Sequence, residues 1–403
     1  MAKGKGGFIG QDGLNAPDAA TGVSGEAGNA QITVSFTSPT DVGGSAITNY
    51  RVSDSTLAHT ATGSSSPVTV TGLTNGTSYT FNVWAINAFG ESVASDPSTA
   101  VSPLAPTRGV YAGGGFNTQN VIGYFQINSG GENASDFGDL SNGEQFYNFS
   151  CSSSTRGIFG GGGTGTPFNE NIEYVTIAST GNSQDFGDLR GVSTNAGTRY
   201  GSRFGAACSN SSRGVIARAK PSNDANEVNI IDYITIASTG DSQDFGDFSR
   251  TTEYCAALSN TTRGVFTWRS GSQKEMEYVT IASTGNSTDF GDTVLNPGDG
   301  PAGASSSTRG LFCLGGRVDI NYITIASTGN ATDFGDLTQQ SQGMAFMSDK
   351  ITAVRCGGYN GSTYINIMDS VTIASTGNAT DFGDITQGTY GFSGCSDSHG
   401  GLS

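Results

Sequence analysis

Charge is scarce in this 403-residue chain: 13% of residues carry it, with 19 Lys and Arg set against 35 Asp and Glu for a net charge of −16. A nucleic-acid surface needs clustered cations facing phosphates, so that partner is excluded, and the acidic balance suits solubility or a basic partner. Histidine occurs only at His59 and His399, and the six cysteines follow no metal-ligand spacing, so neither a metal nor a cofactor is expected. No segment approaches the roughly 20 apolar residues of a membrane span. The opening MAKGKGGFIGQDGLN holds no apolar signal-peptide core. The expectation is a protein made and folded in a cytoplasm, without membrane insertion.

What is plentiful is glycine, 61 residues, with Ser, Thr and Asn at most other polar positions. That mixture suits short strands joined by tight turns, and the length calls for at least two domains. The fold class read from it is all-β. Cys151, Cys208 and Cys395 stand at one recurring position in FSCSS, AACSN and SGCSD. Equivalent positions lie on different structural units, which favours buried free thiols over disulfides.

Three parts are distinguishable. Residues 1–15 are Gly-rich with Lys3 and Lys5 and read as a flexible arm that orders against a partner. Residues 16–105 alternate apolar and polar positions in AQITVSFTSP, AITNYRVSDS and PVTVTGLTNGTSYTFNVWAINAFGES, the pattern of antiparallel strands with one buried face. Leu73, Gly76 and Tyr79 in LTNGTSY, followed by Phe81, Val83 and Ala85, resemble the fibronectin type III family. The resemblance implies a sandwich in which Tyr79 closes a corner by bonding its hydroxyl to nearby backbone. Where that family carries a Trp on its second strand this chain has Phe36, and Trp84 is the candidate to supply the missing aromatic bulk. The domain reads as a spacer.

Residues 106–403 repeat. DFGD recurs from Asp136, Asp185, Asp244, Asp289, Asp333 and Asp381, at spacings of 49, 59, 45, 44 and 48 residues, each copy but the first ending a near-constant stretch such as YVTIASTGNSTDFGD. Upstream of each lies TRGVYAGGG or a relative of it. Each repeat reads as four strands: a first of small residues, a second through RGVF, a third through YVTIAST and a short fourth through DFGD. Repeats of roughly 40–50 residues built from short strands indicate propeller blades, and six copies make six blades. The order, with glycines ending the second strand, resembles the kelch and galactose-oxidase group. Thr107 opens a second strand with no first strand before it, while the tail TYGFSGCSDSHGG looks like a first strand with no second after it. Residues 388–398 are therefore expected to pair with residues 108–115 and close the ring. A parallel β-solenoid is the alternative, but it has no need of that pairing.

In an up-and-down meander the near-constant turns fall at one end of the strands, and the variable stretches between second and third strand, and between repeats, fall at the other. The six DFGD phenylalanines are expected as wedges between repeats. The basic residues opening each second strand, Arg108, Arg156, Arg213, Arg263, Arg309 and Lys350, share a face with the DFGD carboxylates, and some pairing between them is predicted. STDFGD is similar to the Asp-box of sialidase-type propellers, but Ala331 and Ala379 replace its Ser in two copies and the usual following Trp is missing. Turn capping by the Asp is the simpler reading, ahead of calcium.

No histidine cluster suits a copper oxidase, and Arg190, Arg199, Arg203, Arg218, Arg269 and Arg317 have no accompanying Glu–Tyr nucleophile pair, so an enzyme is not expected. Aromatic residues and Arg together make contact hot spots. The candidate ligand-binding residues on the variable face are Tyr200, Arg218, Trp268, Arg269, Arg317 and Tyr359, with Tyr364 nearby. The layout of arm, spacer and repeat ring resembles virion appendage or decoration proteins of tailed phages of marine and cyanobacterial hosts. That resemblance implies a non-enzymatic structural or adhesion protein of a virion. Its arm would meet other virion proteins, and its loop face would bind a host-surface glycan or protein or a neighbouring subunit, as a monomer or a homo-oligomer. A sialidase-like glycan-processing enzyme and a bacterial surface adhesin are the alternatives.

Overall fold

The computed structural model describes residues 15–115, 120–143, 145–164, 168–191, 201–220, 227–269 and 273–402. The chain divides into two compact units, Met1–Pro106 and Thr107–Ser403. Tyr200 and residues 1–14 of the arm lie outside the described residues. Among the described residues no helix is long and apolar enough to cross a membrane.

The first unit is a two-sheet sandwich. One sheet holds Thr21–Gly28, Gln31–Thr37 and Val68–Thr71; the other holds Thr60–Gly63, Asn49–Asp54, Phe81–Asn87 and Gly90–Glu91. Alternation along each strand turns Ile32, Val34, Val52, Val70, Phe81, Val83 and Ala85 into a shared core. The same alternation keeps Trp84 out of it, which corrects the expectation: the Arg51 guanidinium lies 3.8 Å over the Trp84 ring and is held there by two bonds to Glu91, at 2.7 and 2.8 Å. The core aromatics are Phe81, Phe36 and Tyr50, the last two with ring centres 4.7 Å apart. Beyond Glu91, the edge is covered by Ser92, Ser95 and Ser98. Their hydroxyls accept the N–H groups of Ala85, Val83 and Phe81 at 2.9, 2.9 and 3.0 Å, and their own N–H groups donate back to the same three residues. Serine every third residue thus satisfies a sheet edge that would otherwise be open to pairing.

The second unit consists of antiparallel sheets in chain order. Residues Phe149–Ser152, Arg156–Gly160, Asn171–Thr176 and Gln184–Asp188 form one such meander, from innermost to outermost strand. Two consecutive meanders are fused into a seven-stranded sheet by Gln243–Ser259, whose first half ends one repeat and whose second half begins the next. Its sequence, QDFGDFSRTTEYCAALS, has no breaker where other repeats insert LNPGDGPAG or similar, so the strand continues. The tail strand Phe392–Ser396 pairs antiparallel with Arg108–Gly113, from Phe392 opposite Gly113 to Ser396 opposite Gly109.

The inner strands are tied by six buried serines. Each hydroxyl donates to the carbonyl of the serine one strand back: Ser209 to Ser152 (2.7 Å), Ser259 to Ser209 (2.9 Å), Ser305 to Ser259 (2.7 Å), Ser348 to Ser305 (2.9 Å), Ser396 to Ser348 (2.5 Å) and Ser152 to Ser396 (2.6 Å). The bonds return to their starting residue. A larger side chain at these six positions would hold the backbones apart, which is why each is Ser, while Phe149, Leu258, Phe346, Met347 and Phe392 stand elsewhere on the same strands. All six cysteines are free and buried, and burial pushes their thiols up, Cys395 to about 12, so they behave as small apolar fillers.

DFGD has a mechanical explanation. In the second repeat Glu173 pairs with Asp185 and Ile172 with Gly187, so Phe186 is the extra residue of a bulge, and the same slip recurs in the four repeats that follow. A bulge re-aims the side chain it releases. Phe186 turns inward and packs with Ile216, Ile234 and Ile236 of the next repeat, and Phe382 of the last repeat packs with Phe125 and Ile127 of the first. The glycine after each Phe has positive φ, +143° at Gly187, and a Cβ there would overlap the carbonyl of Gly240 in the next repeat's turn. That turn docks by Gly240 N–H donating to Phe186 O (2.7 Å) and Ser242 N–H to Asp188 O (2.9 Å), while Asp241 Oδ1 accepts Asp188 N–H (3.0 Å). Each constant stretch therefore carries a plug in its turn and a socket in its last strand. The cap on the socket is the Asn or Asp of the following repeat, such as Asn286 on Asp247, rather than the first DFGD Asp as expected.

The predicted pairing of second-strand arginines with DFGD carboxylates does not form among the described residues. Arg108, Arg156, Arg213, Arg263 and Arg309 instead donate to the carbonyls of Ile177, Ile236, Ile281, Ile325 and Ile373 in the next repeat, at 2.7 to 3.0 Å. Each guanidinium also lies 4.1 to 4.5 Å over the third-strand Tyr of its own repeat. An unpaired, half-buried carbonyl above a ring face outcompetes an exposed carboxylate that water already satisfies. The sixth repeat lacks both partners, having Lys350 and Ser370.

Candidate binding site at the axial cavity

Between the inner strands runs a cavity with two parts. The part near the constant turns is lined by the six serines and by His399, whose Nδ1 accepts Gly401 N–H at 3.0 Å. Burial lowers this imidazole to about 4, so it is neutral. The other part opens among the variable segments, is lined by Tyr147, Phe204, Tyr254, Gly300 and Gly343, and spans about 580 Å³, open solvent at its rim included.

The mouth is built from one position repeated six times, five residues before each ring serine: YNFSCS, FGAACS, YCAALS, GPAGAS, GMAFMS and GFSGCS. All six have left-handed backbone, with φ of 56°, 64° and 49° at Tyr147, Phe204 and Tyr254 and of 60°, 60° and 68° at Gly300, Gly343 and Gly391. The geometry lets successive segments bond across the axis, Tyr147 N–H to Gly391 O (2.5 Å), Phe204 N–H to Tyr147 O (3.2 Å) and Gly391 N–H to Gly343 O (2.6 Å). Glycine adopts it freely, whereas an L-residue with a Cβ loses about 1–2 kcal/mol. Three aromatics therefore occupy a position where the same fold also accepts glycine. They make one half of the mouth aromatic and leave the other half bare.

The rings are continuous. Tyr147 lies 4.6 Å from Phe204 and 5.4 Å from Tyr254; Tyr390 lies 5.9 Å from Tyr147 and stacks on Tyr364 at 4.7 Å, with Tyr359 at 5.8 Å. Burial raises the Tyr254 and Tyr390 hydroxyls to about 12, so both stay protonated donors. Arg203 is packed among these rings, 4.4 Å from the Phe204 centre, 4.7 Å from Phe146 and 5.4 Å from Tyr147.

Of the predicted ligand-binding residues, Tyr359 joins this cluster, and Arg269 stands beside it, 5.6 Å over Tyr254 and paired with Asp299 at 2.7 Å. Arg317 is exposed at the start of Arg317–Thr324, opposite Ser341. Arg218 and Trp268 are corrections, being 0% and 1% exposed. Arg218 donates to the carbonyls of Arg190 (2.5 Å) and Gly201 (2.9 Å) and to Asp232 (3.3 Å), which also receives Arg190 Nε at 2.5 Å. Asp232 is one of a series, Glu173, Asp232, Glu277, Asn321 and Asp369, that the bulge turns inward to anchor the preceding repeat's connecting loop. A buried carboxylate needs such donors, so Arg218 is structural. Trp268 fills the junction between the third and fourth repeats, 5.2 Å from Phe248. Tyr147, Phe204 and Tyr254 went unrecognised in the sequence because aromatics are not turn residues; only alignment to the three glycines reveals them. Among the described residues, no group of His, Cys, Asp or Glu converges to hold a metal ion.

In the first unit, Thr74 N–H donates to the Tyr79 hydroxyl oxygen at 3.1 Å, the corner expected of LTNGTSY, and residues 16–101 match the family described as "Fibronectin type III domain". The first unit contains a fibronectin type III domain. Solved structures similar to this chain include titin domains A168–A170, at 33% identity over 22% of this chain and 32% of that one with a TM-score of 0.21. Another is titin kinase with its flanking domains, at 33% identity over 22% and 17% with a TM-score of 0.20. The chain thus spans a third or less of the length of these matches. No curated protein matches the chain.

Proposed function

We propose that residues 107–403 form a six-bladed β-propeller of kelch-like type, and that the protein is a non-enzymatic adhesion component of a virion. On this reading the fibronectin type III domain is the spacer, and the propeller's variable end recognises a host-surface glycan. The ring reading is supported by the cyclic serine bonds and by the pairing of Phe392–Ser396 with Arg108–Gly113. The recognition reading rests on one observation: Tyr147, Phe204 and Tyr254 hold left-handed backbone at a position where three other repeats have glycine. Backbone strain of this kind persists where surrounding structure enforces it, and it concentrates at binding sites. Aromatic faces at a concave mouth suit the apolar faces of sugar rings. The virion setting rests on the layout of arm, spacer and repeat ring.

Two measurements test the proposal. Mass spectrometry of purified particles should detect the chain, and its absence from every particle fraction overturns the virion assignment. The full-length protein should bind intact host cells, and Tyr147→Ala with Tyr254→Ala should remove that binding while leaving the thermal midpoint within a few degrees. Undiminished binding by the double variant overturns the mouth as the recognition site, and release of new sugar ends on incubation with host glycans overturns the non-enzymatic assignment.

A further inference from the structure

Beside the mouth, Arg203 packs against the Tyr147 ring and has no carboxylate partner among the described residues. Arg203 is half-buried against Phe146, Tyr147, Phe168 and Phe204, and its Nε is buried with no acceptor among the described residues. The neighbouring arginines each have a carboxylate partner: Arg190 and Arg218 have Asp232, and Arg269 has Asp299 and Glu253. Among the described residues no carboxylate pairs with Arg203, and the groups around it are tyrosines, phenylalanines and backbone. Ring faces offset part of a cation's lost hydration but supply no lone pairs for its planar fork of donors. Desolvation accordingly lowers its pKa, although guanidinium remains charged at any physiological pH.

A desolvated guanidinium beside a concave aromatic wall is the arrangement that receives a carboxylate, because the fork bonds both oxygens and the low-dielectric surroundings strengthen the pair. Resting on the glycan-recognition reading above, we infer that the mouth selects an acidic sugar, whose ring stacks on Tyr147 and Tyr254 and whose carboxylate is bonded by Arg203. The chain's net charge of −16 limits this to a glycan with isolated carboxylates. A polyanion would be repelled by the net negative charge over a Debye length of roughly 8–10 Å.

The test is binding of full-length protein to a printed array pairing carboxylate-bearing glycans with neutral ones of the same backbone, for wild type, R203Q and R203K. The wild type should prefer the acidic member of each pair. R203Q should lose about 10- to 100-fold in apparent affinity for the acidic members, the loss of charge-assisted hydrogen bonds, and stay within about twofold for neutral ones. R203K should fall between, keeping charge without the fork. Equal binding of acidic and neutral members by wild type, or an unchanged R203Q, overturns this inference and leaves glycan recognition standing. No binding to any glycan overturns glycan recognition itself. The wild-type preference needs no variant, so it holds as a test even where R203Q fails to fold.

Discussion

Gly246→Ala and Gly285→Ala form a matched pair that isolates the joint between repeats. Gly246 is the socket glycine of DFGD with φ +153°; Gly285 is the plug glycine of the next repeat with φ +155°. A non-glycine residue in this region costs about 1–3 kcal/mol, and both variants incur that term. They differ in space. A methyl on Gly285 meets nothing within 4 Å, whereas one on Gly246 overlaps the Gly285 carbonyl and lies 2.9 Å from the nitrogen of Asn286. Relief requires the plug to retreat, which stretches three bonds: Gly285 N–H to Phe245 O (2.7 Å), Ser287 N–H to Asp247 O (3.0 Å) and Asp247 N–H to Asn286 Oδ1 (3.0 Å). At about 0.5–1.5 kcal/mol each, their loss adds roughly 1.5–4.5 kcal/mol, so Gly246→Ala should cost about 2.5–7.5 kcal/mol in total. Trp268 packs in the same hydrophobic cluster as Phe245 and is a local reporter. Its fluorescence in a W84F background, followed through a urea titration, gives the two midpoints. A Gly246→Ala midpoint equal to or above that of Gly285→Ala would refute the plug-and-socket account.

Arg218→Ala should destabilise by about 3–5 kcal/mol because it strips a buried carboxylate of a donor, whereas Arg269→Ala, an exposed pair, should shift stability by no more than about 1 kcal/mol; denaturant midpoints decide. His399 is held near 4, below the ordinary value of 6.5, so the folded state binds fewer protons between those pH values. Its contribution is present above pH 6.5 and lost as pH falls toward 4. Protection factors of residues 392–402, exchange rates corrected for the base-catalysed intrinsic rate, should therefore fall on acidification across that window, and His399→Gln should flatten the dependence. Removing residues 390–403 exposes the edge of Arg108–Gly113 and should convert a single species into aggregates on size-exclusion chromatography; an unchanged profile would mean the tail pairing is dispensable.

The sandwich was legible down to a single hydrogen bond, because LTNGTSY specifies a local corner whose partner, Thr74, is five residues from Tyr79. Trp84 was misread although its strand was right, since Arg51 and Glu91 come from other strands and give the indole an outer partner. In the repeats, small first-strand residues and the DFGD phenylalanines were readable as packing elements. The partners of Arg108 and its equivalents were not: a long side chain reaches several acceptors, and which is least hydrated depends on how the next repeat docks.

Periodicity and composition alone determined an all-β chain of six like copies behind a sandwich, because strand alternation and turn chemistry act over a few residues and repeat wherever the residues repeat. The assembled structure decided what one residue owes to a distant one. It turned Arg218 and Trp268 inward, left Arg203 without a carboxylate partner among the described residues, and forced Tyr147, Phe204 and Tyr254 into glycine's backbone region. Burial and the sign of φ at those positions are set by six inner strands crowding one axis, a constraint that exists only once they have come together.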